Sequence, residues 1–207
     1  MHFNLDEVYH IYNRGNNKQS IFFSERNYLF FLRKISDQIK PICDILCWTL
    51  MPNHFHLLIN ANNQSCNTRS SFGGKGMQEL SYRIGVLLSS YSQAINKQNG
   101  TIGSLFQQKT KAKSLFIPSS SQEFNKGKAT DNYLINSMHY LHQNAWKAGL
   151  VNKIEDWPYS SFPDYAGLRN GTLCNKLLLL ELTGYSLENF YQDSYKVIDD
   201  DIIGKLF

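Results

Sequence analysis

The chain has 207 residues, 42% hydrophobic and 14% aromatic, which suffices for one domain with a proper core and excludes a disordered or low-complexity chain. No apolar run approaches the ~20 residues that cross a bilayer, and the opening MHFNLDEVYH lacks a basic-then-apolar leader, so a cytoplasmic protein is expected. The net charge of +4 is uneven: from Gly171 onward three Lys face six Asp or Glu, while the first 170 residues carry 18 basic against 11 acidic groups, a balance compatible with a polyanionic ligand on the body.

In chain order, Glu7–Arg14 is rich in strand formers and runs into the loop signal Gly15-Asn16-Asn17. Ser24 is placed to cap a helix reaching about Lys40, with Tyr28, Phe31, Leu32, Ile35 and Ile39 on one stripe and Pro41 as its stop. Ile42–Leu50 reads as a strand, joined through Met51-Pro52-Asn53 to a second strand, His54–Ile59, as a hairpin. Cys43 and Cys47, four apart in that strand, should share a face. With Cys66 and Cys174 they form no zinc-knuckle spacing and read as reduced thiols.

Asn60–Gly76 is polar with nothing to bury and is expected to be a mobile loop. Met77 to about Gln98 is a strongly amphipathic helix. Ser104–Ile117 reads as one or two strands in which Lys109, Lys111 and Lys113 alternate and share a face; Pro118–Thr130 is a second polar loop. A helix runs from Asp131, capped by itself or by Thr130, to about Lys147, with Gly149 past its end. Short helices follow in the tail. Strands alternating with helices in this order predict an α+β sandwich: a mainly antiparallel sheet with helices on one face and a small C-terminal helical extension.

Two stretches carry chemistry. In a strand, side chains alternate faces, so His54 and His56 point together while Phe55, Leu57 and Ile59 face a core. Two imidazoles on one face can present a metal ion to a surface groove, although a lone pair of histidines is more often two ordinary strand residues. On the last long helix, Leu134, Met138 and Leu141 should face the sheet, and Tyr133, Ser137, Tyr140 and Asn144 form another stripe. Tyr140 and Asn144 project together, and an amide oxygen there can supply a third ligand.

With these residues in place, the sequence resembles the single-tyrosine transposases of the HUH class, and within them the REP-associated tyrosine transposases. The likeness lies in YHIYNRGNNKQSIF, WTLMPNHFHLLI, GSLFQQKTKAKSL, YLHQNAWKAGLV and DWPYSSF, which span roughly Tyr9–Tyr165 in the family's order. The resemblance implies a ferredoxin-like core (residues 1–168, with 169–207 as an acidic extension). It also implies a metal-dependent enzyme that cuts and rejoins hairpin-forming single-stranded DNA through a 5′-phosphotyrosine. Tyr140 would be the nucleophile; His54, His56 and Asn144 would hold Mg²⁺ or Mn²⁺. The family's proline after the asparagine is replaced here by Ala145.

Lys109, Lys111, Lys113 and Arg14 are candidate DNA-phosphate contacts, weighed against solvated surface cations. Trp157 is expected to pack on the tyrosine helix, His139 and His142 to be surface or supporting residues, Gln143 to be an understudy for Asn144, and His10 to be an ordinary strand residue. A non-cleaving binder of structured single strands is the rival reading. A homodimer exchanging the tyrosine helix and a monomer are both compatible with the sequence.

Overall fold

The computed structural model describes residues 1–70, 76–115, 129–199 and 203–204, with only the backbone described for 129–132. The strands are β1 (Val8–Arg14), β2 (Cys43–Met51), β3 (His54–Ala61), the two-residue β4 (Thr68–Arg69) and β5 (Met77–Gln78), and β6 (Lys111–Ser114). The helices are α1 (Glu25–Gln38), α2 (Asn63–Cys66), α3 (Glu79–Asn99), α4 (Ala129–Lys147), α5 (Phe162–Tyr165), α6 (Lys176–Thr183) and α7 (Phe190–Ser194). The main sheet has the order β2-β3-β1-β6 with every neighbouring pair antiparallel. That order, with α1 and α3 as the crossovers, is the expected ferredoxin-like arrangement.

The odd-numbered residues of β1 and β3 make one sheet face. Tyr9, Ile11, Phe55, Leu57 and Ile59 pack with Phe31 and Ile35 of α1 and with Leu80, Ile84, Leu87, Tyr91 and Ile95 of α3. Each such buried side chain stabilises the fold by about 1.5–3 kcal/mol. The Tyr91 hydroxyl is satisfied by donating to the Ile21 carbonyl at 2.8 Å. Helices on one face therefore holds for α1 and α3. The opposite face is covered by α4, whose Leu134, Met138 and Leu141 meet Val8, Leu46, Cys47 and Leu58, together with Leu179 of α6 and Phe190 of α7.

Several expectations change in detail. A β-bulge between Ile45 and Cys47 shifts the register of β2, so Cys43 joins the α1/α3 core and Cys47 the α4 core. The two thiols lie on opposite faces. All four cysteines are free. The polar run after Ile59 is structured over its described residues: β3 continues to Ala61, the Asn62 side chain accepts from the Gln64 and Ser65 amides to cap α2, and Ser65 Oγ donates to the Ile42 carbonyl at 2.6 Å. Polarity there serves capping rather than disorder. Residues 71–75 lie outside the described residues, as do 116–128, on which most of the expected loop Pro118–Thr130 falls. Met77 and Gln78 pair with β4 instead of opening α3. The last long helix begins at Ala129, ahead of both expected caps.

Candidate nucleic-acid and metal site

Residues paired across a sheet share a face, so the register of the strands assembles the site row by row. One row reads Lys111, Tyr12, His56, Thr49; the next carries Arg14, His54 and Met51; the row before carries Lys113, His10, Leu58 and Cys47. All of these are on the α4 side, because Leu58 and Cys47 belong to the α4 core. The rings of His54 and His56 meet edge to face with centroids 4.9 Å apart. Side-by-side projection of the two imidazoles is thus as the alternation predicts, but only His54 is partly open: His56 is 2% exposed. The pair is therefore half covered rather than set in an open groove.

His56 is enclosed by its neighbours on β1. Its Nδ1 lies 2.8 Å from Nε2 of His10, the two rings stack at 5.0 Å, and Tyr12 stacks on His10 at 4.8 Å. His10, expected to be an ordinary strand residue, is wholly buried beside the pair. The signal was present in the sequence only as parity: His10 is two residues from Tyr12, and its partner on β3 is two residues from His56. His54 Nδ1 lies 2.6 Å from Asn53 Oδ1. Desolvation holds both imidazoles neutral. His54 is lowered to about 4, with the Arg14 charge adding to the effect, and His56 falls well below the usual 6.5, helped by His10 and His54.

Two polar atoms flank the pair without a hydrogen-bond partner among the described residues: the hydroxyl of Thr49, which is fully buried and paired with His56, and Nε of Arg14, which is paired with His54. Buried polar atoms of this kind call for a partner that the chain does not supply. Neutral imidazoles with orphaned donors beside them suit an ion carrying water or phosphate oxygens. Among the described residues, no group of three or more His, Cys, Asp or Glu side chains is gathered to hold a metal. Further ligation from the described residues would therefore call for a donor outside those residue types, such as an amide oxygen.

On α4, Tyr140 and Asn144 are half-buried, and Tyr140 edges the core on the same side of the sheet as the imidazoles. Asn144 Nδ2 donates to the Tyr140 carbonyl at 2.9 Å, which leaves its oxygen as the outward group. Burial pushes the Tyr140 phenol above its ordinary value near 10, and Lys147 Nζ lies 6.0 Å from its ring centroid. Gln143 is excluded as a substitute for Asn144: it is fully buried on the other flank of α4 and donates to the carbonyls of Ser194 (2.9 Å) and Lys196 (2.8 Å).

Other expected roles also change. His139 bonds Ser194 Oγ (3.0 Å), and His142 lies against Ser161 Oγ (2.8 Å) and Cys47 Sγ (3.3 Å); both are buried structural residues rather than surface ones. Trp157 packs on the α1/α3 side, edge-on to Tyr28 and Tyr159, and donates to the Leu50 carbonyl at 3.2 Å. Of the three lysines, Lys111 and Lys113 share the site's face, while Lys109 lies before β6. There Asn13 Nδ2 donates to the Gln107 carbonyl and Thr110 Oγ1, and the regular pairing of β6 is interrupted before it resumes at the Gly15–Phe106 bridge.

No family model and no curated protein matches the sequence. Among solved structures, the fold is similar to that of a REP-associated tyrosine transposase bound to a REP hairpin. The TM-score is 0.55 at 14% identity, covering 81% of this chain and 83% of that one.

Proposed function

We propose that the protein is a metal-dependent single-stranded DNA nicking and rejoining enzyme of the REP-associated tyrosine transposase type, acting on hairpin-bearing DNA. The observation that carries this reading is the sheet face itself, where His54, His56, Arg14 and Lys111 lie on the side covered by the helix that bears Tyr140. The likeness in fold to a transposase that binds a REP hairpin supports it.

In this reading His54, His56 and the Asn144 oxygen hold Mg²⁺ or Mn²⁺, which when bound neutralises and polarises the scissile phosphate. Arg14, Lys111, Lys113 and, from the bend before β6, Lys109 hold phosphates of the strand. The Tyr140 phenol loses its proton and its oxygen bonds the phosphorus, the bond from phosphorus to the 3′ oxygen breaks, and that oxygen takes up a proton. The product is a 5′-phosphotyrosine and a free 3′-hydroxyl, and the reverse attack by a 3′-hydroxyl rejoins the strand. A phenol raised by burial is a poor nucleophile until a cation faces it, which ties turnover to metal and basic side chains. Residues 1–168 form the catalytic domain, and 169–207 an extension whose α6 and α7 pack against α4.

The test is incubation of end-labelled hairpin single strands with the protein and Mn²⁺, followed by a denaturing gel. A covalent adduct that is absent in Tyr140→Phe and on duplex DNA is expected. Tight hairpin binding with no adduct under any divalent ion would leave the non-cleaving binder as the reading.

A further inference from the structure

An imidazole ligates through the nitrogen that carries no proton, and the hydrogen bond at its other nitrogen decides which one that is. An amide oxygen can only accept. The amide orientation of Asn53 is fixed because its Nδ2 donates to the Lys18 carbonyl at 3.2 Å, so His54 Nδ1, 2.6 Å from Asn53 Oδ1, carries the proton. Nε2 of His54 then carries a bare lone pair. At His56 the corresponding partner is Nε2 of His10, 2.8 Å from Nδ1, on a ring held wholly buried between Tyr12 and His56.

We propose that Asn53 and His10 are positioning residues, each accepting the Nδ1 proton of one histidine so that Nε2 of His54 and of His56 both face a divalent cation. The inference rests on reading His54 and His56 as ligands. It makes the turn residue before β3 and a strand residue 43 positions earlier part of one ion site. Asn53 acts on the more open histidine and His10 on the covered one.

The test uses the full chain, ¹⁵N-labelled, metal-free and without DNA. Long-range ¹H–¹⁵N correlation spectra assign the tautomers, and calorimetric titration with Mn²⁺ gives affinity. Wild type should show Nδ1-protonated rings at His54 and His56. Asn53→Ala and His10→Ala should lose the single tautomer at the adjacent ring and bind Mn²⁺ roughly 10–100-fold more weakly. Asn53→Asp, which keeps the acceptor, should restore the tautomer. Because His10 is buried, Asn53→Ala with an unchanged melting temperature is the decisive variant. Nε2-protonated His54 in wild type, or a folded Asn53→Ala with wild-type affinity, overturns the positioning role. A wild type that shows the stated tautomers and takes up no Mn²⁺ or Mg²⁺ overturns the ligand reading instead, and the proposal with it.

Discussion

Acidification from pH 7 to pH 5 should destabilise this protein far more than its carboxylates can explain. His54 and His139 are lowered to about 4 by burial, and His56 and His142 are likewise held well below their ordinary value by burial. In the unfolded chain each titrates near 6.5. Because the folded values are depressed, the unfolded state takes up protons first as pH falls, so stability is complete above about pH 7 and is lost progressively toward pH 4. For a group moving from 6.5 to about 4, the linkage at pH 5 amounts to about 2 kcal/mol. His54 and His139 together reach about 4 kcal/mol, a large part of a typical domain stability of about 5–15 kcal/mol. The lowered carboxylates Glu7, Glu79 and Asp193 start from ordinary values of 4.5 or below, so their losses come at lower pH. Urea unfolding in EDTA at half-unit steps between pH 5 and pH 7 measures the slope, about 1.4 kcal/mol per pH unit for each proton. More than two protons taken up on unfolding near pH 5.5 are expected, and His139→Gln should remove about one. A slope below one proton would refute the claim that these imidazoles are held neutral by the fold.

Arg14→Ala and Lys111→Ala should each weaken binding of hairpin single strands and reduce the salt dependence of log K by about 0.7, one single-strand phosphate contact apiece. Fluorescence anisotropy across a salt series checks this, and unchanged slopes would rule out both residues as phosphate contacts. Gln143→Leu strips the buried Ser194 carbonyl and the part-buried Lys196 carbonyl of their donor and should cost about 1–3 kcal/mol, roughly 2–12 °C in melting temperature. Its Mn²⁺ affinity, read by calorimetry, should stay at the wild-type level because the residue lies on the far flank of α4.

Much of the scaffold was legible because its signals are local. The helical stripe of α3, the hairpin turn at Pro52-Asn53 and the alternation of β3 follow from single-element periodicity, and the buried residues fall where that periodicity puts them. What was not legible depends on pairings between distant segments. His10 reads as one more strand residue until the register of β1 on β3 brings its ring against His56. Gln143 and Asn144 are adjacent in the chain, and only the docking of residues 194–196 on α4 decides that one is fully buried and the other half-buried. The separation of Cys43 from Cys47 turns on one bulge residue, which reverses facing without any compositional mark. The opening of Asn60–Gly76 reads as a loop because Asn and Ser suit loops and caps equally, and in the fold Asn62 and Ser65 cap.

The same dependence on distant pairings explains how the candidate site divides its labour. The imidazoles stand on β3, which is hydrogen-bonded on both edges, by β2 and by β1, so their spacing is set by the least deformable part of the sheet. Tyr140 stands on a helix held to that sheet by apolar contacts at Leu134, Met138 and Leu141 and clasped from behind by Ser194 and Lys196 through His139 and Gln143. Sheet hydrogen bonds fix register to fractions of an ångström, whereas a docked helix keeps its place only as long as its packing partners do. In the proposed reading an enzyme that holds a phosphate still and later releases a tyrosine-linked strand would gain from that asymmetry: the two imidazoles belong to the rigid layer, while Tyr140 and Asn144 belong to the layer that can yield.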